Sequence, residues 1–259
     1  MNKSVLHRIY SRFPADFPLP FILDGATGTS LMKLGMPQGA CPEEWVLANP
    51  DAIVKIQSAY IKSGCDALYA PTFGANRAVL SRHDIDTDVM SMNHALASLS
   101  KKAVSLAARS SRICRVAGDM SPTGCLIEPY GDTPFDEVVD IYAEQAQALA
   151  DAGAELICIE TGISLQECRA AVIGAKSACN LPVFVTLTFD HTGRTMSGDT
   201  FLASLITLAS LGVCAVGANC SSGPNDMLRL LSPAAKYAAA LGIPLIAKPN
   251  AGMPHTDDS

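Results

Sequence analysis

The sequence predicts an α/β protein built as a (β/α)8 TIM-type barrel, and three observations point there. A helical pattern, a glycine and a short apolar run ending in polar residues recur along the chain, most clearly at 58–72, 146–161, 207–220 and 238–250. The apolar runs are too short for helices and have no polar face, as strands buried on both sides by flanking helices require. Helix and strand therefore alternate around a parallel sheet, and seven such strands in 259 residues suit a barrel better than a doubly wound sheet. The glycine-rich stretch Gly25-Ala26-Thr27-Gly28-Thr29 is not a GxGxxG fingerprint, so a dinucleotide fold has no support.

Taken in order, the first strand is expected at 21–24, ending in Asp24 and running into that glycine-rich stretch. The next helix carries Ile53, Ile56, Tyr60 and Ile61 at helical spacing and stops at Gly64, where a left-handed C-cap is expected; Gly153, Gly212 and Gly242 hold the same position in later units. Strands follow at 67–70, 114–119, 156–160 and 183–188. The stretch 201–225 has no charged residue, but Ser204, Thr207 and Ser210 interrupt it and Gly212 divides it. It predicts a buried helix and then a buried strand at 213–219, not a membrane span. A seventh strand is expected at 245–248, and no eighth apolar run precedes Ser259. The expected architecture is thus an N-terminal extension at 1–20 and a barrel at 21–259 truncated before its eighth strand.

Composition narrows the function. A net charge of −6, 49% hydrophobic and 17% charged residues describe a folded chain with a sizeable core, not a disordered one. The mildly acidic balance without basic clusters argues against nucleic acid, which needs a positive stripe, and leaves a small molecule as the expected client. Residues 1–20 have no apolar core of a signal peptide. Nine cysteines without a CxxC spacing do not make a disulfide framework; they read as small buried hydrophobes in a reducing compartment, the cytoplasm.

Barrel chemistry sits at the C-terminal strand ends. There the sequence places Asp24, Thr72, Asp119 with Ser121, Glu160 with Thr161, Thr188, Asn219 with Cys220, and Lys248 with Asn250. Ser121, Thr188 and Asn250 are expected to cap helices or bond loop backbone. Asp24 and Glu160 end apolar strands and need a cation, which either a bound ammonium group or a distant Lys or Arg would supply. Cys220, between a buried strand and a helix, suits a nucleophile or metal ligand, or is simply a small residue in a turn. Lys248 at a strand end also admits a Schiff-base lyase.

Five segments carry a family resemblance: Leu23-Asp24-Gly25-Ala26-Thr27-Gly28-Thr29, Pro71-Thr72-Phe73-Gly74-Ala75-Asn76, Gly118-Asp119-Met120-Ser121-Pro122-Thr123-Gly124, Ile159-Glu160-Thr161 and Gly217-Ala218-Asn219-Cys220. Their order resembles the homocysteine S-methyltransferase family, and the segment at 72–76 its cobalamin-dependent branch. The resemblance implies a homocysteine-binding barrel that gives methionine by methyl transfer from methylcobalamin carried on a separate domain or protein. It also implies zinc, held by three cysteine thiolates with Cys220 as the first, activating the substrate thiol. Asp24 and Glu160 would hold the substrate's amino group, Thr72 and the backbone amides at 25–29 would face its carboxylate, and Asn219 would aim Cys220. The family's other two zinc cysteines form an adjacent pair ending the eighth strand, and this sequence has no Cys-Cys pair. No spacing argument supports His255 or Cys125 in their place. A non-catalytic amino-acid-binding barrel is the alternative reading.

Overall fold

The computed structural model describes residues 3–86, 88–107, 113–220 and 222–252. Its six strands are β1 (Ala67–Tyr69), β2 (Arg115–Met120), β3 (Leu156–Gly162), β4 (Val183–Leu187), β5 (Ala215–Asn219) and β6 (Leu245–Lys248). They pair in chain order, every pair parallel, and curl into an open barrel. The helices are α1 (Lys3–Ile9), α2 (Gly28–Lys33), α3 (Pro42–Ala48), α4 (Pro50–Ser63), α5 (Arg77–Arg82), α6 (Val89–Ala107), α7 (Phe135–Asp151), α8 (Leu165–Ala178), α9 (Phe201–Ser210), α10 (Pro224–Leu231) and α11 (Ala235–Leu241). None of them is long and apolar enough to cross a membrane, and the charge-free stretch resolves into α9 and β5. Gly64, Gly153, Gly212 and Gly242 all take positive φ (95°, 84°, 80° and 73°), a backbone shape that a Cβ would strain.

The run at 21–24 departs from expectation: it makes one parallel bridge, Leu23 to Ala67, and not a full strand. Its few residues lie between Pro20 and Gly25, and the Ile22 N–H is turned to the Asp66 carboxylate, 2.8 Å away, instead of a ladder carbonyl. The bridge still aligns the run with β1, because the Asp24 N–H donates to the Ala67 carbonyl at 3.1 Å.

Strand alternation divides the core in two. Leu68, Val116, Ile157, Ile159, Val185, Leu187 and Val216 point outward and pack under the helices. Ala67, Tyr69, Ala117, Leu156, Cys158, Phe184, Ala215 and Ile246 point inward and form the barrel's own core. Residues ahead of the first run close that core: Phe13 stacks on Phe184 at 5.5 Å and Phe17 on Phe21 at 4.9 Å. Arg115 caps this cluster, its guanidinium 4.2 Å from the Phe17 ring centre and 2.8 Å from Asp16. Burying each such phenylalanine contributes about 1.5–3 kcal/mol, so the expected N-terminal extension is packed against the barrel interior.

Candidate functional site

Continuing the inward alternation past the apolar layers brings polar residues to the C-terminal mouth. Asp119 follows Ala117 by two, Glu160 follows Cys158, Asn219 follows Gly217 and Lys248 follows Ile246. With Asp24 and residues 25–29 they line one part of a cavity of about 1160 Å³ that also runs along the barrel interior past Phe13, Phe184 and Ile246. The same cavity wall includes Tyr69, Thr161 and Cys220.

The cation that the buried carboxylates require is Lys248. Its Nζ lies 2.8 Å from Glu160 Oε2 and 3.6 Å from the centre of the Tyr69 ring. Burial pulls the lysine pKa down, but Glu160, Asp119 and Asp24 together outweigh that and hold it above its ordinary value. The amine is therefore protonated and engaged, which disfavours a Schiff-base role. Asp24 accepts the Tyr69 N–H through Oδ2 at 2.9 Å, while its Oδ1 is buried without a partner. Burial pushes the Asp24 pKa up to about 7 against the pull of Lys248. Asp119 also keeps a buried Oδ1 without a partner, and burial, reinforced by Glu160, raises its pKa well above the usual carboxylate range.

The thiol side of the mouth is built on a clamp between β3 and β5. The Asn219 Nδ2 donates to Thr161 Oγ1 at 2.8 Å and to Cys220 Sγ at 3.2 Å, while the Thr161 N–H donates back to Asn219 Oδ1 at 3.0 Å. Thr161 and Cys220 both sit at positive φ (61° and 57°), conformations that non-glycine residues adopt only where neighbours hold them. Cys220 is the one exposed cysteine of the nine. Helix α10 is preceded by its N-cap Gly223, so Cys220 lies before the first helical turn and outside the reach of its dipole.

Other expected positions are placed differently. Thr72 is fully buried and is not on the cavity wall. Its hydroxyl donates to the Asp119 carbonyl at 2.9 Å and accepts the Asp119 N–H at 3.2 Å, so it ties the end of β1 to β2 and does not face a carboxylate site. Thr188 bonds the Asn219 carbonyl and Ser121 the Pro122 carbonyl, as loop-bonding hydroxyls should. The Gly25–Thr29 backbone does border the cavity.

Zinc is not fitted by these residues alone. Among the described residues, no three His, Cys, Asp or Glu side chains converge to hold a metal ion. Cys220 offers a single thiolate where a zinc centre takes three or four protein ligands. Cys125 packs against the helix–sheet core, and His255 lies outside the described residues.

Residues 21–259 match the family described as homocysteine S-methyltransferase. The chain is 30% identical over 242 residues to methionine synthases of Mycobacterium tuberculosis and Mycobacterium leprae. Each match covers 89% of this chain but 20% of the relative, so the chain spans about a fifth of those proteins' length. Among solved structures, the oxidised form of the homocysteine methyltransferase MmuM from Escherichia coli superposes with a TM-score of 0.72 at 20% identity, covering 93% of both chains. Its metallated form gives 0.69 at 19% identity, over 87% of this chain and 90% of that one. At these identities the superpositions establish a shared fold.

Proposed function

The chain belongs to the homocysteine S-methyltransferase family, and from that premise we propose that it binds homocysteine in the barrel mouth as the methyl-accepting module of methionine formation. The observation that carries the reading is the joint placement, on one cavity wall, of an exposed thiol at Cys220 and buried carboxylates with unpaired oxygens at Asp24 and Asp119. An amino-acid thiol needs both ends of such a site. Its ammonium seeks desolvated carboxylates, and its sulfur seeks a position beside the group that activates it.

In this reading the residues have separate tasks. The Asp24 side of the mouth receives the ammonium, and the backbone N–H groups at 25–29 face the carboxylate as a cradle of closely spaced donors. The Thr161–Asn219 clamp fixes Cys220, the residue that would supply one ligand to a metal such as zinc. Bound zinc would favour the substrate's thiolate at neutral pH. The methyl donor is proposed to be a methyl-corrinoid on another domain or protein, a reading supported by the mycobacterial methionine synthases. Such a donor carries the difficult bond itself, and the barrel contributes binding and orientation.

Calorimetric titration with homocysteine, combined with elemental analysis of zinc per chain, tests the proposal. Homocysteine binding with about one zinc per chain, lost on Cys220→Ser, is the expected result for a complete centre. Homocysteine binding without zinc would leave a pocket without its reactive centre, the non-catalytic alternative. Failure to bind homocysteine under either condition would overturn the proposal.

A further inference from the structure

Two of the nine cysteines touch each other. Cys65 Sγ and Cys114 Sγ lie 3.7 Å apart as a hydrogen-bonded thiol pair, although they are 49 positions apart in sequence. Neither is on the cavity wall. Cys65 follows the Gly64 cap just ahead of β1 and Cys114 directly precedes β2, so the pair sits at the end of the strands away from the mouth. Both pack in the layer between sheet and helices, with Ile61, Leu68 and Ala103.

The backbone brings the two thiols together and holds them there. Ala67 and Arg115 are register partners in the parallel β1–β2 pair, so both cysteines sit just ahead of one rung. The Arg115 N–H donates to the Asp66 carbonyl at 2.8 Å, and the Cys65 N–H to the Tyr60 carbonyl at 3.3 Å. The remaining approach to a sulfur–sulfur bond of about 2 Å falls on two side chains whose backbones are already paired. The thiols are also chemically unequal. The hydrogen bond from Cys114 holds Cys65 below the ordinary thiol range against the effect of burial, while that bond and burial together push Cys114 up. Cys65 is the member that reaches thiolate, and Cys114 keeps its proton beside it. They are 4% and 7% exposed, against 1% for Cys158 and 2% for Cys168 in the interior.

We propose that Cys65 and Cys114 form a reversible redox site, a dithiol that hydrogen peroxide converts to a disulfide stapling the start of β1 to the start of β2. The Cys65 thiolate attacks one peroxide oxygen and the O–O bond breaks. The other oxygen leaves as water with the proton that Cys65 gave up, and Cys65 becomes a sulfenic acid. The Cys114 sulfur then attacks the Cys65 sulfur, the S–O bond breaks, and a second water leaves with the Cys114 proton. Two thiols thus lose two electrons and two protons, and one peroxide is reduced to two waters. An external dithiol reverses the bond by exchange. The staple closes β1, α5 and α6 into one covalent loop. It lies beside two anchors of the N-terminal residues: Asp66, which holds the Ile22 N–H at 2.8 Å, and Arg115, which holds Asp16 at 2.8 Å. Oxidation fastens this end of the barrel and leaves the mouth residues untouched, so the site is independent of the homocysteine reading.

The reduced full chain is treated with a small excess of hydrogen peroxide, blocked with iodoacetamide in denaturant and mapped by non-reducing peptide mass spectrometry. The expected product is a peptide pair joining Cys65 to Cys114, lighter by two hydrogens and separated by dithiothreitol. It should form at least about tenfold faster than Cys158 or Cys168 is oxidised. The linked chain should melt about 5 °C or more above the reduced one. Cys65→Ser and Cys114→Ser should each abolish that shift. Should either variant fail to fold, reversal of the shift by dithiothreitol in the wild-type chain gives the same control. Cys65 and Cys114 recovered as alkylated thiols after Cys220 is fully oxidised would overturn the proposal. So would Cys65 joined to a different cysteine, or Cys65 carried to sulfinic acid with Cys114 still free. A linked chain that melts no higher than the reduced one would overturn its role as a staple.

Discussion

Lys248 and Glu160, 88 residues apart in sequence, meet as a 2.8 Å ion pair inside the barrel mouth, with side chains 19% and 15% exposed. Such a pair adds little over an apolar alternative, but removing one member leaves the other buried and uncompensated. Lys248→Met should therefore lower stability at neutral pH by about 3 kcal/mol in urea unfolding. Adding Glu160→Gln should recover more than half of that loss. A single variant as stable as the wild type would show that the pair is open to water. Borohydride in the presence of carbonyl compounds should leave Lys248 unlabelled.

Asp24 ties stability to pH in the sense opposite to a surface carboxylate. Folded, it keeps its proton to about pH 7, against 3.8 for the ordinary side chain, because burial outweighs Lys248 and the Tyr69 N–H. Between those values the folded chain binds more protons than the unfolded one, so stability falls as pH rises through that window. The loss is on the order of 4 kcal/mol once Asp24 has ionised. Asp24→Asn can still accept the Tyr69 N–H and should flatten the decline between about pH 4 and 8. Asp119, raised in the same direction by burial, leaves a residual slope. Denaturation curves of the variant as steep in pH as the wild type's would contradict the assignment.

Thiol reactivity should be concentrated at one position. Cys220 is exposed, whereas the other eight cysteines are buried or half-buried. Iodoacetamide applied to the native chain should label Cys220 first, with the rest following only as the fold opens. Peptide mass spectrometry of a time course reads this directly, and earlier modification of Cys125, Cys179 or Cys214 would count against it. Asn219→Ala removes the clamp that holds Thr161 at positive φ and should lower the melting temperature as well.

What the sequence could reveal depended on how local the cause was. Strand β6 is found where it was expected, at Leu245–Lys248, because Gly242 and Pro249 bracket a short apolar run. The run at 21–24 is equally apolar, yet Asp66 draws the Ile22 N–H away and only a bridge survives. Asp24, Glu160, Asn219 and Cys220 could be placed at the mouth from the sequence because each ends or directly follows an apolar run. Asp119 and Lys248 were legible by the same rule, and the inward alternation from Ala117 and Ile246 carries both to the cavity. Thr72 lies one residue past Pro71, where the chain bends so that its N–H donates to the Ala70 carbonyl at 2.7 Å, and alternation no longer applies. The choice of Lys248 as partner for Glu160 was not legible, because barrel curvature and not local spacing sets it.

Gly217 offers a test of the geometry that positions the thiol. It lies in β5 on the inward face, two residues before Asn219, paired with Ile246 of β6. A Cβ added there would collide with the Ile246 carbonyl oxygen, a backbone atom that cannot rotate aside. Gly217→Ala must therefore push β5 and β6 apart, moving Asn219 and Lys248, which pair with each other at the mouth. The expected loss is about 3 kcal/mol or more, typical of forced overpacking in a core. Because the same displacement separates the thiol side of the mouth, at the end of β5, from Lys248 on β6, homocysteine affinity should fall even in the fraction that remains folded. Hydrogen exchange should locate the loosening at the β5–β6 ladder. Wild-type protection there, together with wild-type affinity, would mean that the two strands do not approach as closely as described.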